Sequence, residues 1–123
     1  MTRYDGRLPS SFLEAERMLG NGDNKHTSVN KTRIIRNGSR IGDPISVRHH
    51  QTDIATFFQD GGIRFTDGGW NSTATCARLQ AMAPPGFSFS KRGGGIILLH
   101  RGAPEDVDLG RGIVIRHGRI TQL

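Results

Sequence analysis

Residues 53–66 read Asp53-Ile54-Ala55-Thr56-Phe57-Phe58-Gln59-Asp60-Gly61-Gly62-Ile63-Arg64-Phe65-Thr66, two runs rich in β-branched and aromatic residues around an acid-glycine-glycine turn. Ile63 and Phe65 face one way and Arg64 and Thr66 the other, the period-two pattern of a half-buried strand. Asp60-Gly61-Gly62 supplies residues that tolerate a positive φ, so the spacing predicts a hairpin with strands at Asp53–Phe58 and Gly62–Thr66. The flanks repeat the pattern. Thr32–Arg36 and Ile45–His49 are candidate strands upstream, separated by an Asn37-Gly38 turn. Phe87–Lys91, Gly95–Leu99 and Gly112–Arg116 follow downstream, the last running into a His117-Gly118 turn. The apolar run Ile96-Ile97-Leu98-Leu99 is expected to be the most buried strand.

Two helices frame this series. Pro9-Ser10-Ser11 precedes Phe12–Leu19, with Ser11 and Glu14 spaced as a capping box, Phe12, Ala15 and Leu19 on one stripe, and Gly20 placed to stop the helix. Gly68-Gly69-Trp70 leads into a second helix over 72–83, whose apolar stripe is Cys76, Leu79 and Ala83 with Met82 beside it. Pro84-Pro85 forbids its continuation. The polar stretch from Asn21 to Asn30 reads as a surface loop. Consecutive strands joined by tight turns give an α+β fold, a mainly antiparallel sheet packed against two short helices.

At 123 residues the chain is expected to form a single domain: helix over 12–19, strands and hairpins over 32–66, helix over 72–83, strands over 87–116. Residues 1–10 and 117–123 are candidates for flexible ends, and the tail from Gly102 either completes the sheet or exchanges with a neighbouring subunit. The longest apolar run, Ile96–Leu99, is far short of the ~20 residues that span a bilayer. The N-terminus has no apolar signal segment, so a soluble intracellular protein with no membrane association is expected. A single cysteine, Cys76, closes no internal disulfide and builds no multi-thiolate site.

Charge is the stronger functional signal. The net charge is +6, and 14 of 17 basic residues are arginine, whose planar fork matches phosphate and stacks on bases. Both ends of the chain balance. The excess lies in residues 31–101, most of it in 61–101, where five bases face one acid. Such a segment suits an anionic partner: nucleic acid, a nucleotide or an acidic protein.

The run Val29-Asn30-Lys31-Thr32, then His50-Gln51-Thr52-Asp53-Ile54, Asp60-Gly61, and Gly68-Gly69-Trp70-Asn71-Ser72-Thr73-Ala74-Thr75-Cys76-Ala77-Arg78-Leu79 resembles a family of small phage and prophage proteins. Members carry an Asn-Asn-Thr segment, a Leu-His-x-Thr-Asp-Ile/Val strand and a Gly-Gly-Trp-x-Thr-x-Thr-Thr-x-x-Arg-Ile-Asn helix start. The resemblance covers roughly residues 12–99 and implies a phage-derived protein, located in the host cytoplasm or the virion. Here Lys31 stands for the second Asn, His49 for Leu, Ser72 and Ala74 for two of the Thr, and Gln80 for the closing Asn.

Three constellations are candidates for chemistry. At the second helix start, Ser72, Thr75 and Arg78 surround unpaired amides and would hold a phosphate, with Trp70 placed to stack on a base. The bland alternative makes Ser72 an N-cap and Trp70 a core anchor. The second is Arg48-His49-His50-Gln51-Thr52-Asp53, where a straight strand puts His50, Thr52 and Ile54 on one face and His49, Gln51 and Asp53 on the other. No acid sits at a spacing that places it beside His50, so a metal site is not expected. The third, Lys91-Arg92-Gly93-Gly94-Gly95, lacks the Lys-Ser/Thr ending and following helix of a Walker loop and reads as a basic hairpin tip.

The leading expectation is a non-enzymatic binder of a phosphate-bearing ligand, nucleic acid or a nucleotide signal that it sequesters, with no cofactor. Its expected ligand residues are Trp70, Ser72, Thr75, Arg78, His50, Thr52, Asn30, Thr32 and Arg48, and its basic patch is Arg64, Lys91, Arg92 and Arg101. A virion component or an inhibitor docking on a host protein is the second reading, and a phosphodiesterase-type hydrolase using His50 the third. Exposed strand edges also make a homo-oligomer an expectation.

Overall fold

The computed structural model describes residues 8–20, 22–27 and 31–123. Its secondary structure is two helices and mostly antiparallel strands, the expected α+β class. Helix α1 (Phe12–Leu19) is followed by β1 (Asn24–His26), β2 (Thr32–Arg36), β3 (Ile45–His49), β4 (Thr52–Phe57) and β5 (Ile63–Phe65). After α2 (Thr73–Met82) come β6 (Phe87–Arg92), β7 (Gly95–His100), β8 (Ala103–Pro104), β9 (Ile113–Arg116) and β10 (Arg119–Gln122). Seven strands form one antiparallel sheet in the order β1-β2-β3-β4-β5-β9-β10, and β6-β7-β8 form a second. The second sheet and α2 are thus an insertion between two hydrogen-bonded neighbours, β5 and β9.

Capping chemistry sets both helix starts. Ser11 Oγ accepts from the Glu14 amide at 3.1 Å, while the Glu14 carboxylate reaches one residue further back than the box predicts, accepting from the Ser10 amide at 2.7 Å. Eight residues are too few to hold a helix in water, and α1 is kept by burying Ala15 and Leu19 against β1, β2 and β3. Helix α2 packs on β4 and β6, burying Leu79 and Met82. Gln80 Oε1 accepts the Phe89 amide at 2.6 Å, so the helix satisfies the outer edge of β6. Phe65 meets Phe89 edge to face with ring centroids 5.1 Å apart, which joins the two sheets through one core.

Several expectations are corrected here. The most buried strand is β3, where Ile45, Ser46 and Val47 are all inaccessible; β7 alternates, with Ile96 and Leu98 buried and Ile97 and Leu99 half-buried. A run of apolar residues reports that a strand is covered, and only packing reports on how many sides. The stretch read as a loop contains β1, three exposed residues paired with β2 and touched by α1. The tail completes the large sheet as β10, joined to β9 by a turn with His117 and Gly118 both at positive φ (53° and 74°), the requirement of a type I′ hairpin. Residues 1–7 lie outside the described residues, whereas Leu8 belongs to the core.

Candidate functional site

The end of the large sheet where β1, β2 and the β3–β4 hairpin meet the start of α2 carries a cleft of about 890 Å³, within the ~300–1,000 Å³ of small-molecule sites. The sheet contributes His26, Lys31 and Arg33; the hairpin contributes His49, His50, Gln51 and Thr52. The opposite wall is Trp70, Ser72, Ala74 and Thr75. Among the described residues no carboxylate lines the cleft.

Backbone geometry builds the hairpin wall. His49 pairs directly with Thr52, leaving His50 and Gln51 as a two-residue turn with His50 at φ 57°. Lys31, at φ 59°, faces it from the start of β2, and the His50 amide donates to the Lys31 carbonyl at 2.8 Å. A register shift past Val47 leaves Ile54 without a Cα partner. The turn at His50–Gln51 overturns the straight-strand expectation: His49 and Thr52, directly paired, share one side, and His50 belongs to no strand face.

Behind the hairpin lies a buried polar chain. Arg78, 8 % exposed, donates from Nε to Thr32 Oγ1 at 2.8 Å and from Nη1 to the Ala74 carbonyl at 2.9 Å. Thr32 Oγ1 is 3.4 Å from His49 Nδ1. The Thr32 hydroxyl thus accepts from arginine and meets the His49 ring on its other side, joining the helix to the hairpin. Burial pushes the His49 imidazole down to about 4, helped by the charge of Arg78 and by His50 and opposed by the Lys31 carbonyl. His49 is therefore a neutral cleft residue at pH 7.

The opposite wall is set by the turn before α2. Gly68 (φ 60°) and Gly69 (φ 87°) carry the chain over the hairpin, and a Cβ on Gly68 would stand 2.5 Å from the Thr52 methyl. Asp67 Oδ1 accepts the Gly69 amide at 2.8 Å, and the Trp70 amide donates to the Asp67 carbonyl at 2.8 Å. Trp70 emerges 67 % exposed. Ser72 is the N-cap, accepting from the Thr75 amide at 3.1 Å, and its carbonyl accepts from Cys76. The amides of Thr73 and Ala74 have no protein acceptor among the described residues.

Residues 13–97 match the Kyanoviridae Gp96 protein family, more than two thirds of the chain. The chain belongs to that family. Membership in the Kyanoviridae Gp96 family makes this a phage protein, the origin that the sequence resemblance implied. No curated protein and no solved structure matches it. Among the described residues of this family member no helix is long and apolar enough to cross a membrane, and no group of metal-ligating side chains is assembled.

Of the residues expected to hold a ligand, the cleft brings together His50, Thr52, Trp70, Ser72 and Thr75. Thr32 and Arg78 lie behind it as the buried chain just described. Arg48 is directed elsewhere: its guanidinium grips Asp53 across the hairpin, Nε to Oδ1 at 2.6 Å, and the carboxylate raises its pKa further. Asn30 lies outside the described residues. The expected basic patch is dispersed. Lys91 and Arg92 are at the tip of the β6–β7 hairpin, Arg101 follows the opposite end of β7, and Arg64 is half-buried on β5 beside Gly112. Sequence reasoning missed His26, Lys31 and Arg33 as ligand residues, and placed His49 in a candidate run without counting it among them. The signal for Arg33 was its alternation with the buried Thr32 and Ile34; nothing local marked His26, and Lys31 stood out only as a departure from the resembled motif.

Proposed function

We propose that this phage protein binds a phosphate-bearing ligand in the cleft without transforming it, the phosphate meeting Lys31, Arg33 and the α2 start and a base stacking on Trp70. The observation that carries this reading is the composition of the lining: two cations, three imidazoles, three hydroxyls and one exposed indole with no described carboxylate. An anion there meets donors and a partial positive charge and no repulsion.

Trp70 is the sole tryptophan, so its fluorescence reads occupancy directly. Titration with 5′-mononucleotides is expected to quench it, and Lys31→Ala and Arg33→Ala are each expected to weaken binding by ~1.5–3 kcal/mol, the range for a hydrogen bond to a charged group. No quenching by any nucleotide at millimolar concentration would overturn the reading. Non-catalytic binding also predicts that nucleotides and RNA or DNA incubated with the protein yield no new product on chromatography. A time-dependent product abolished by His50→Gln would replace it with the hydrolase.

A further inference from the structure

We infer that the ligand is a single-stranded nucleic acid whose path continues from the cleft, across Trp70, to the β6–β7 hairpin tip, where Lys91 and Arg92 hold a second stretch of backbone. The inference rests on the binding reading above and assigns its polymer class.

The route is built by α2 and β6 running antiparallel. Gln80, late in the helix, holds Phe89 early in the strand. Asn71, one residue past Trp70, donates from Nδ2 to the Gly94 carbonyl at the hairpin tip. These two ties bring the tip to the same end of the helix as the cleft. Gly93, Gly94 and Gly95 have open space where a Cβ would stand, so no side chain of the protein crowds the approach. Lys91 and Arg92 are exposed, and among the described residues neither they nor Lys31 and Arg33 are paired with a carboxylate. Asp67, just before the Gly68-Gly69-Trp70 turn, is buried with an oxygen on the Gly69 amide.

Trp70 therefore stands between two cationic sets, Lys31 with Arg33 on one side and Lys91 with Arg92 on the other. A 5′-mononucleotide has phosphate on one side of its base. A strand has phosphate on both, and an aromatic platform within a basic track is the usual way proteins hold single strands. A duplex keeps its bases paired and stacked away from such a platform.

The test compares a 5′-mononucleotide, a single strand of ~8 nucleotides, within the usual ~4–16 nucleotide site size, and the corresponding duplex, each followed by Trp70 quenching across a salt series. The single strand is expected to bind tightest. Lys91→Ala with Arg92→Ala should weaken it at least about tenfold and flatten its salt slope by about 1.4, from about 0.7 per phosphate contact, while mononucleotide affinity stays unchanged. An unchanged far-UV circular dichroism spectrum and urea midpoint of the double variant confirm that it folds. A single strand binding no tighter than the mononucleotide, an equally tight duplex, or an unaltered salt slope in the variant would each overturn the inference and leave the cleft as a small-ligand site. No quenching by any ligand would overturn the binding reading as well.

Discussion

At the residue scale, the chain Arg78–Thr32–His49 is where charge and fold are coupled. Arg78 spans from its own helix to β2, a separation of 46 residues in sequence. Removing it takes away the donor that reaches the buried Thr32 hydroxyl from α2 and the side-chain partner of the Ala74 carbonyl. Arg78→Ala is expected to cost ~2–4 kcal/mol, because unsatisfied buried polar groups cost ~1–3 kcal/mol each; urea unfolding checks this. A surface arginine would cost under ~0.5 kcal/mol. His49 adds a pH dependence of definite sign. Its folded pKa of about 4 lies below the ordinary 6.5, so the unfolded chain binds the proton more readily. The contribution of neutral His49 is full above pH 6.5 and is lost as pH falls towards 4, by up to ~3 kcal/mol. Acidic groups with lowered pKa, such as Asp60, act in the same direction at lower pH. The discriminating measurement is the urea midpoint at pH 7.5 and 4.5 in wild type and His49→Gln, with the smaller difference expected in the variant.

At the element scale, the turn before α2 and the β3–β4 hairpin are one unit, because Gly68 lets them touch. A methyl group there meets the Thr52 side chain at 2.5 Å and must also adopt φ 60°. Gly68→Ala is expected to destabilise by ~1–2 kcal/mol and to shift Trp70, so thermal melting and nucleotide-dependent quenching should both decline. Gly69→Ala is the informative control: its φ is 87° but nothing lies within 4 Å of its Cβ position. It should show the backbone cost with less effect on binding. Glycine spacing announced a turn at 68–69, yet which glycine is pressed against a neighbour depends on a hairpin 16 residues earlier. The bulge at Ile54 was equally hidden, since a period-two pattern read locally has no term for a residue skipped by the partner strand.

At the scale of the whole molecule, the inserted α2–β6–β7–β8 unit is closed over by β9 and β10 returning to the large sheet. Gln122 locks that return, accepting from the Asp108 amide at 2.6 Å and donating to the Gly112 carbonyl at 2.8 Å, while Ile120 packs on the core. Deleting residues 117–123 leaves β9 paired with β5 alone and turns it into an edge strand, which is expected to cost ~2 kcal/mol, a fall of ~6–10 °C in Tm by calorimetry for a domain of this size.

By itself the sequence determined the class of the fold, most strand positions and both helix caps, because alternation, turn glycines and Ser11 or Ser72 ahead of a helix act over a few residues. It also determined the cationic middle of the chain and, through the resemblance, the phage origin. Tertiary structure alone decided that β1 and β10 are strands, that Arg78 is interior, that Arg48 belongs to Asp53, and that Lys91 and Arg92 part company with Arg64 and Arg101. Each of these depends on which distant segment supplies a hydrogen-bond partner or covers a face. Short-range periodicity holds no record of that, and the cleft, assembled from four separate segments, is the sum of such pairings.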